Sequence, residues 1–213
     1  MARPRPDFSL RVTWARLFRQ VAMTAGPSGD RHGDASEAPD GPPPIKPFGQ
    51  DDPSIAAWTI AMKPGDPGAA KKLTEVVAPH SEERSTPMMA PRDDLAIEVW
   101  TECELSIVHA AWRVVIESEE SPAVRDLRGR LTSAIEWHLE RTQPDNATTH
   151  PWGVHAVLEL GSPFVEAVDY AASMIHAVEA AGHAATEPDP LSTWILLDAA
   201  AGLDRGSGAA FGA

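Results

Sequence analysis

Apolar residues recur at helical spacing through the second half of this chain and only in short pieces before it. From Pro91 onward, Ile97, Trp100, Ile107, Val108, Ala111, Trp112 and Val115 share one broad face at about 100° per residue. They predict a helix reaching Ser118, with Asp93 or Asp94 as its cap. Glu98, Glu102, Ser106, His109 and Arg113 fall on the opposite face, which this pattern predicts to be solvated. Glu104 breaks the pattern by falling in the middle of the apolar face.

Ser121-Pro122, a cap followed by proline, predicts a second helix to about Thr142. Its stripe is Val124, Leu127, Leu131, Ala134, Ile135 and Leu139, with His138 inside it and Trp137 off it. Gln143-Pro144-Asp145-Asn146 then reads as a turn. His150-Pro151 opens a short helix, Trp152–Leu160, which Gly161 ends. Ser162-Pro163 opens the next, with a stripe of Phe164, Val168, Ala171, Ile175 and Val178 and a stop at Gly182. Asp189-Pro190 opens the last, Leu191–Leu203, which is apolar nearly all round apart from Asp198 and should be central. Short loops between helices imply antiparallel pairs. The predicted fold is all-α: a small bundle of antiparallel αα-hairpins, about five helices over residues 92–203, with a flexible tail over 204–213.

The first part of the chain differs. Within residues 1–25, Leu10, Trp14, Leu17, Phe18 and Val21 recur at helical spacing among five arginines, predicting a basic amphipathic helix. Such a helix packs on its own fold, lies on a membrane surface through residues 7–23, or serves as a targeting segment. The first reading is preferred here. Residues 26–91 form a Pro/Gly-rich linker, since twelve of the 20 prolines lie between Pro27 and Pro91. It holds two short helical pieces, Ile55–Met62 and Ala69–Ala78.

The formal charge of −13 argues against nucleic acid, which needs a basic face. The single cysteine, Cys103, excludes an internal disulfide and, with no long apolar run and no secretory leader, suits a soluble cytoplasmic protein.

The succession of hairpins resembles the α/α-toroid class, which includes terpenoid-cyclase-like and six-hairpin glycosidase-like proteins. The resemblance rests on Glu136-Trp137-His138-Leu139-Glu140 leading into Gln143-Pro144-Asp145-Asn146 and a new helix. It covers residues 92–203 and implies a fold only. The chain lacks the aspartate-rich cyclase motif, so no catalytic residue is carried over.

Candidate chemistry lies in polar residues at apolar positions. Glu104, His138 and Asp198 are the catalytic candidates, since a buried carboxylate or imidazole is costly unless paired or used. The alternative is structural: Glu104 paired with Arg128 or a loop backbone, and Asp198 with Arg141 or the loop before Trp152. Trp137, Trp152 and His155 are ligand-binding candidates, with Trp137 expected to be the most exposed. His138, His155, Glu104 and Asp198 in one pocket would suit a first-row metal, but no ligand motif is present, and neither metal nor cofactor is predicted. No nucleophile elbow and no phosphate-binding glycine loop occurs. The leading expectation is a helical binding or scaffold protein with an unknown protein or small-molecule partner. The competing one is a helical enzyme or small-molecule-binding domain built on an inward-facing Glu/His cluster. The apolar last helix, lacking a sixth helix to pair with, hints at a homodimer.

Overall fold

The computed structural model describes residues 8–24, 52–63, 65–79, 85–142, 148–161, 164–184 and 189–208. Among them are eight helices and no strand: α1 Phe8–Thr24, α2 Pro53–Ala61, α3 Ala69–Val76, α4 Ile97–Glu117, α5 Pro122–Arg141, α6 Val154–Leu160, α7 Glu166–Ala184 and α8 Pro190–Gly208. The all-α class is as predicted. The count of about five is not, because the helix expected within residues 1–25 and the two short pieces expected in the linker, left out of that bundle, supply α1, α2 and α3 to the same core. The Pro/Gly-rich stretch 25–51 and the turn Gln143–Asn146 lie outside the described residues.

Helix α4 is the axis of the molecule. It packs against α2, α3, α5, α6 and α8, and every residue from Trp100 to Trp112 is buried. The solvated face predicted for α4 is therefore wrong over its middle: Glu102, Ser106 and His109 are buried, His109 completely. Conversely, Ile97, placed on the apolar face, stands at the helix entrance and is 64% exposed. The expected aspartate cap is also absent. Ala96 is the N-cap and makes no side-chain capping bond, while Asp94 pairs with Arg92.

Two cap-plus-proline signals act as read. The Ser121 hydroxyl accepts from the Val124 N–H at 3.3 Å. The Asp189 carboxylate accepts from the N–H groups of Leu191 and Ser192, each at 3.0 Å. Helix α7 continues through Gly182 to Ala184, and its buried stripe is Ala167, Tyr170, Ala171, Met174, Ile175 and Val178. Phe164 and Val168, assigned to that stripe, are exposed instead.

Helix α1 lies along α8, with Ala15, Phe18, Val21 and Ala22 buried. Its arginines meet acids of the body, Arg11 with Glu159 on α6 and Arg19 with Asp204 on α8. The apolar face of α1 is thus turned inward. The last helix, whose apolar surround suggested a second copy of the chain, finds its cover in α1, α4 and α6. No described helix is long and apolar enough to cross a membrane.

The stretch 85–90, between α3 and α4, has no regular structure but is fastened by side chains. Met88 accepts at its carbonyl from the Ala78 N–H at 2.6 Å. The Thr86 N–H donates to the Ser133 hydroxyl at 3.0 Å. Buried Arg130 on α5 donates to the carbonyls of Ala78 and Pro87 at 2.7 and 3.1 Å and to Thr86 Oγ1 at 3.0 Å.

Candidate functional site

The polar residues of α4 organise two separate interior loci and a boundary clamp. Glu104 and His109, five residues apart, point about 140° from each other around α4 and sit about 7.5 Å apart along it.

The first locus is Glu104 with His138. Glu104 is fully buried, and its two carboxylate oxygens accept the N–H groups of Met88 and Met89, each at 2.6 Å. His138 Nε2 lies 3.6 Å from Glu104 Oε1, too far for a hydrogen bond, and His138 Nδ1 is 3.2 Å from the Thr142 hydroxyl. Thr142 is also 2.9 Å from the Tyr170 hydroxyl. Burial pushes the Tyr170 phenol up to about 12, so it remains protonated. The expected pairing of Glu104 with Arg128 is not found: Arg128 pairs with Glu120 at the surface, and Arg130 is the charge near Glu104. A carboxylate saturated by two backbone amides is a fastening for the 85–90 stretch rather than a free acid or base.

The second locus joins three helices. His109 on α4, His155 on α6 and Asp198 on α8 bring one donor atom each within 4.8 Å of one another, at exposures of 0, 0 and 2%. His109 Nε2 is 3.0 Å from Asp198 Oδ2. The Gly153 N–H donates to His109 Nδ1 at 3.1 Å, so the ring proton sits on Nε2 and is donated to Asp198. Arg113 holds the other Asp198 oxygen. Burial alone would raise the Asp198 pKa. The hydrogen bond from His109 and then the Arg113 guanidinium outweigh it and bring the carboxyl down to about 2, so it is ionised. The partners expected for Asp198, Arg141 or the loop before Trp152, are replaced by Arg113 and His109. His155 packs ring to ring on His109, with centroids 4.4 Å apart, and neither of its nitrogens has a hydrogen-bond partner among the described residues. Burial lowers its pKa well below the usual imidazole value and keeps it neutral.

An aromatic shell closes this locus. Trp58, Trp152 and Trp194 surround His109 with ring centroids 5.6, 5.6 and 6.2 Å away. Trp58 donates to the Ser106 hydroxyl at 2.8 Å. Trp152, a ligand-binding candidate, is 2% exposed and donates to Glu102 Oε1 at 2.9 Å. Trp137, expected to be the exposed aromatic, is half-buried edge-on against Trp100. The ligand-binding trio Trp137, Trp152 and His155 therefore forms no common open surface.

Glu102 forms the boundary clamp. It accepts the Thr149 N–H at 3.1 Å and the Trp152 indole, and it pairs with His150 Nδ1. His150 Nε2 reaches Asp189, the cap of α8, at 3.4 Å. Burial would lower the His150 pKa, but the hydrogen bond and charge of Glu102, with Asp189 behind them, raise it. Cys103 is buried, and burial, then Asp52 and Glu102, pushes its thiol to about 12, so it is no nucleophile at neutral pH.

The four residues expected to share one pocket are therefore divided, Glu104 and His138 in one locus, His155 and Asp198 in the other. The second is completed by His109, which the periodicity of α4 assigned to solvent. Comparison with known protein families, curated proteins and solved structures gives no match.

Proposed function

We propose that the chain is a non-catalytic helical binding protein that engages a protein partner through an apolar corner at the start of α7. The observation that supports this most is the exposure there of Phe164, Val165 and Val168, at 40, 78 and 44%. Three large apolar side chains open to solvent within five residues are a contact surface rather than scattered exposure. The interior chemistry supports the same reading from the other side. Glu104 is spent on two backbone amides, Glu102 on the 149–152 loop, and Asp198 on His109 and Arg113, so no candidate acid or base faces a substrate.

The test is site-specific crosslinking in the full chain, expressed in its own cells. A photo-reactive residue in place of Val165 should give a discrete crosslinked species with another protein, and the same residue in place of exposed Glu119 should not. A crosslink to a second copy of the chain would replace the partner with a homodimer. A Val165 pattern identical to that of Glu119 would remove the reading.

A further inference from the structure

We propose that His109, His155 and Asp198 hold a divalent first-row transition-metal ion that ties α4, α6 and α8 together in the core.

The donor set is two imidazole nitrogens and one carboxylate oxygen, which suits zinc or ferrous-type ions and not the all-oxygen preference of calcium or magnesium. The three donor atoms already lie within 4.8 Å of one another, and the closest measured pair, His109 Nε2 and Asp198 Oδ2, is at 3.0 Å. Ligands bound at about 2.0–2.2 Å in tetrahedral directions stand about 3.3 Å apart, so only small side-chain movements are needed. His155 is the second, independent observation. A neutral imidazole needs one donor and one acceptor partner, and this one, wholly buried, has neither. A metal ion occupies the nitrogen lone pair that otherwise faces nothing.

The surroundings are shaped for the ring. Gly202, one turn beyond Asp198 on the same face of α8, lets the backbone approach the His155 imidazole. A Cβ there would fall 2.9 Å from His155 Cδ2. Arg113 keeps Asp198 Oδ1 occupied and leaves Oδ2 for the ion, the orienting role that partners of ligating carboxylates play.

Two hydrogen bonds must change when the ion binds, the first being that from His109 Nε2–H to Asp198 Oδ2, whose two atoms turn to the ion. In a neutral His109 bound through Nε2 the ring proton moves to Nδ1, where it meets the Gly153 N–H. Gly153 has φ +68° and ψ 5°, the Val154 N–H bonds the Pro151 carbonyl at 3.3 Å, and Trp152 has a negative φ. These define a type II turn over 151–154. Rotating the Trp152–Gly153 peptide turns it into type I and presents the Trp152 carbonyl to Nδ1–H. The ion and this peptide are coupled, with the glycine left free of side-chain hindrance on either side of the change.

The experiment uses the full chain, stripped with chelator and then refolded in the presence of Zn²⁺ or Co²⁺, so that slow entry into a closed core cannot hide uptake. The expected result is one equivalent bound per chain, visible Co²⁺ d–d bands, and an X-ray absorption spectrum with two imidazole ligands. Zn²⁺ should raise Tm, whereas Mg²⁺ and Ca²⁺ should not. His155→Gln and Asp198→Asn, checked for folding by circular dichroism, should each weaken Co²⁺ binding by about a hundredfold or more. Replacing the exposed His176 with alanine should change nothing. No uptake by the folded wild-type chain would overturn the proposal. So would a spectrum with fewer than two imidazoles, or Co²⁺ affinity unchanged in both site variants.

Discussion

At the scale of single residues, a carboxylate's role is decided by what it meets. Glu104 was legible in the sequence as an anomaly, a charge in the middle of an apolar face that a loop backbone could satisfy, but which amides it meets was not. They are the amides of Met88 and Met89, 15 and 16 residues earlier in a stretch with no periodicity to place it. His109 shows the opposite failure. It sits in the stripe Glu102, Ser106, His109, Arg113, whose spacing is that of a solvated face, and nothing local says that α2 with Trp58 and the 148–153 turn will cover it. Because Glu104 satisfies two buried donors, Glu104→Leu should lose several kcal/mol of stability, about 1–3 for each stranded amide. Glu104→Gln keeps one acceptor oxygen and should lose less. Urea denaturation of the two variants checks the order, and a leucine variant as stable as wild type would contradict the fastening role.

At the scale of elements, α4 and the turn before α6 explain why periodicity read some helices well and others poorly. Helix α5 has one neighbour-facing side, and its stripe from Val124 to Ile135 is buried as the 3.6-residue repeat predicts. Helix α4 is enclosed on all sides, so polar residues there mark internal partners instead of solvent. The His150 clamp between Glu102 and Asp189 ties α4 to the start of α8 and carries a pH signature. Its folded pKa is raised, so the protonated form is favoured by folding. The contribution is complete below the unfolded histidine value, about 6.5, and is lost as pH rises through the higher folded value. The stability gap between wild type and His150→Ala should therefore be wide near about pH 6 and narrow by about pH 9. A gap that grows with pH would contradict the clamp.

At the scale of the whole molecule, the helical class, the cap-plus-proline starts at Ser121 and Asp189 and the inward packing of α1 were in the pattern of residues, while Ser162-Pro163 lies outside the described residues. What the pattern could not supply is the assembly. The proline-rich composition of residues 26–91 concealed that α2 and α3 join the core, and Trp58 with them. The acidic surplus says nothing of where acids go, and four of them, Asp52, Glu102, Glu104 and Asp198, are inside. Glu102, Glu104 and His109 hold irregular backbone to helices, and the build of the molecule rests on these contacts. The most direct measurement is native-state hydrogen exchange of the four amides they bind, Met88, Met89, Thr149 and Gly153. The account predicts that all four exchange only with global unfolding, as slowly as the amides in the middle of α4. If they exchange instead as fast as the amide of exposed Asp93, the interior acids do not fasten these segments, and the account fails.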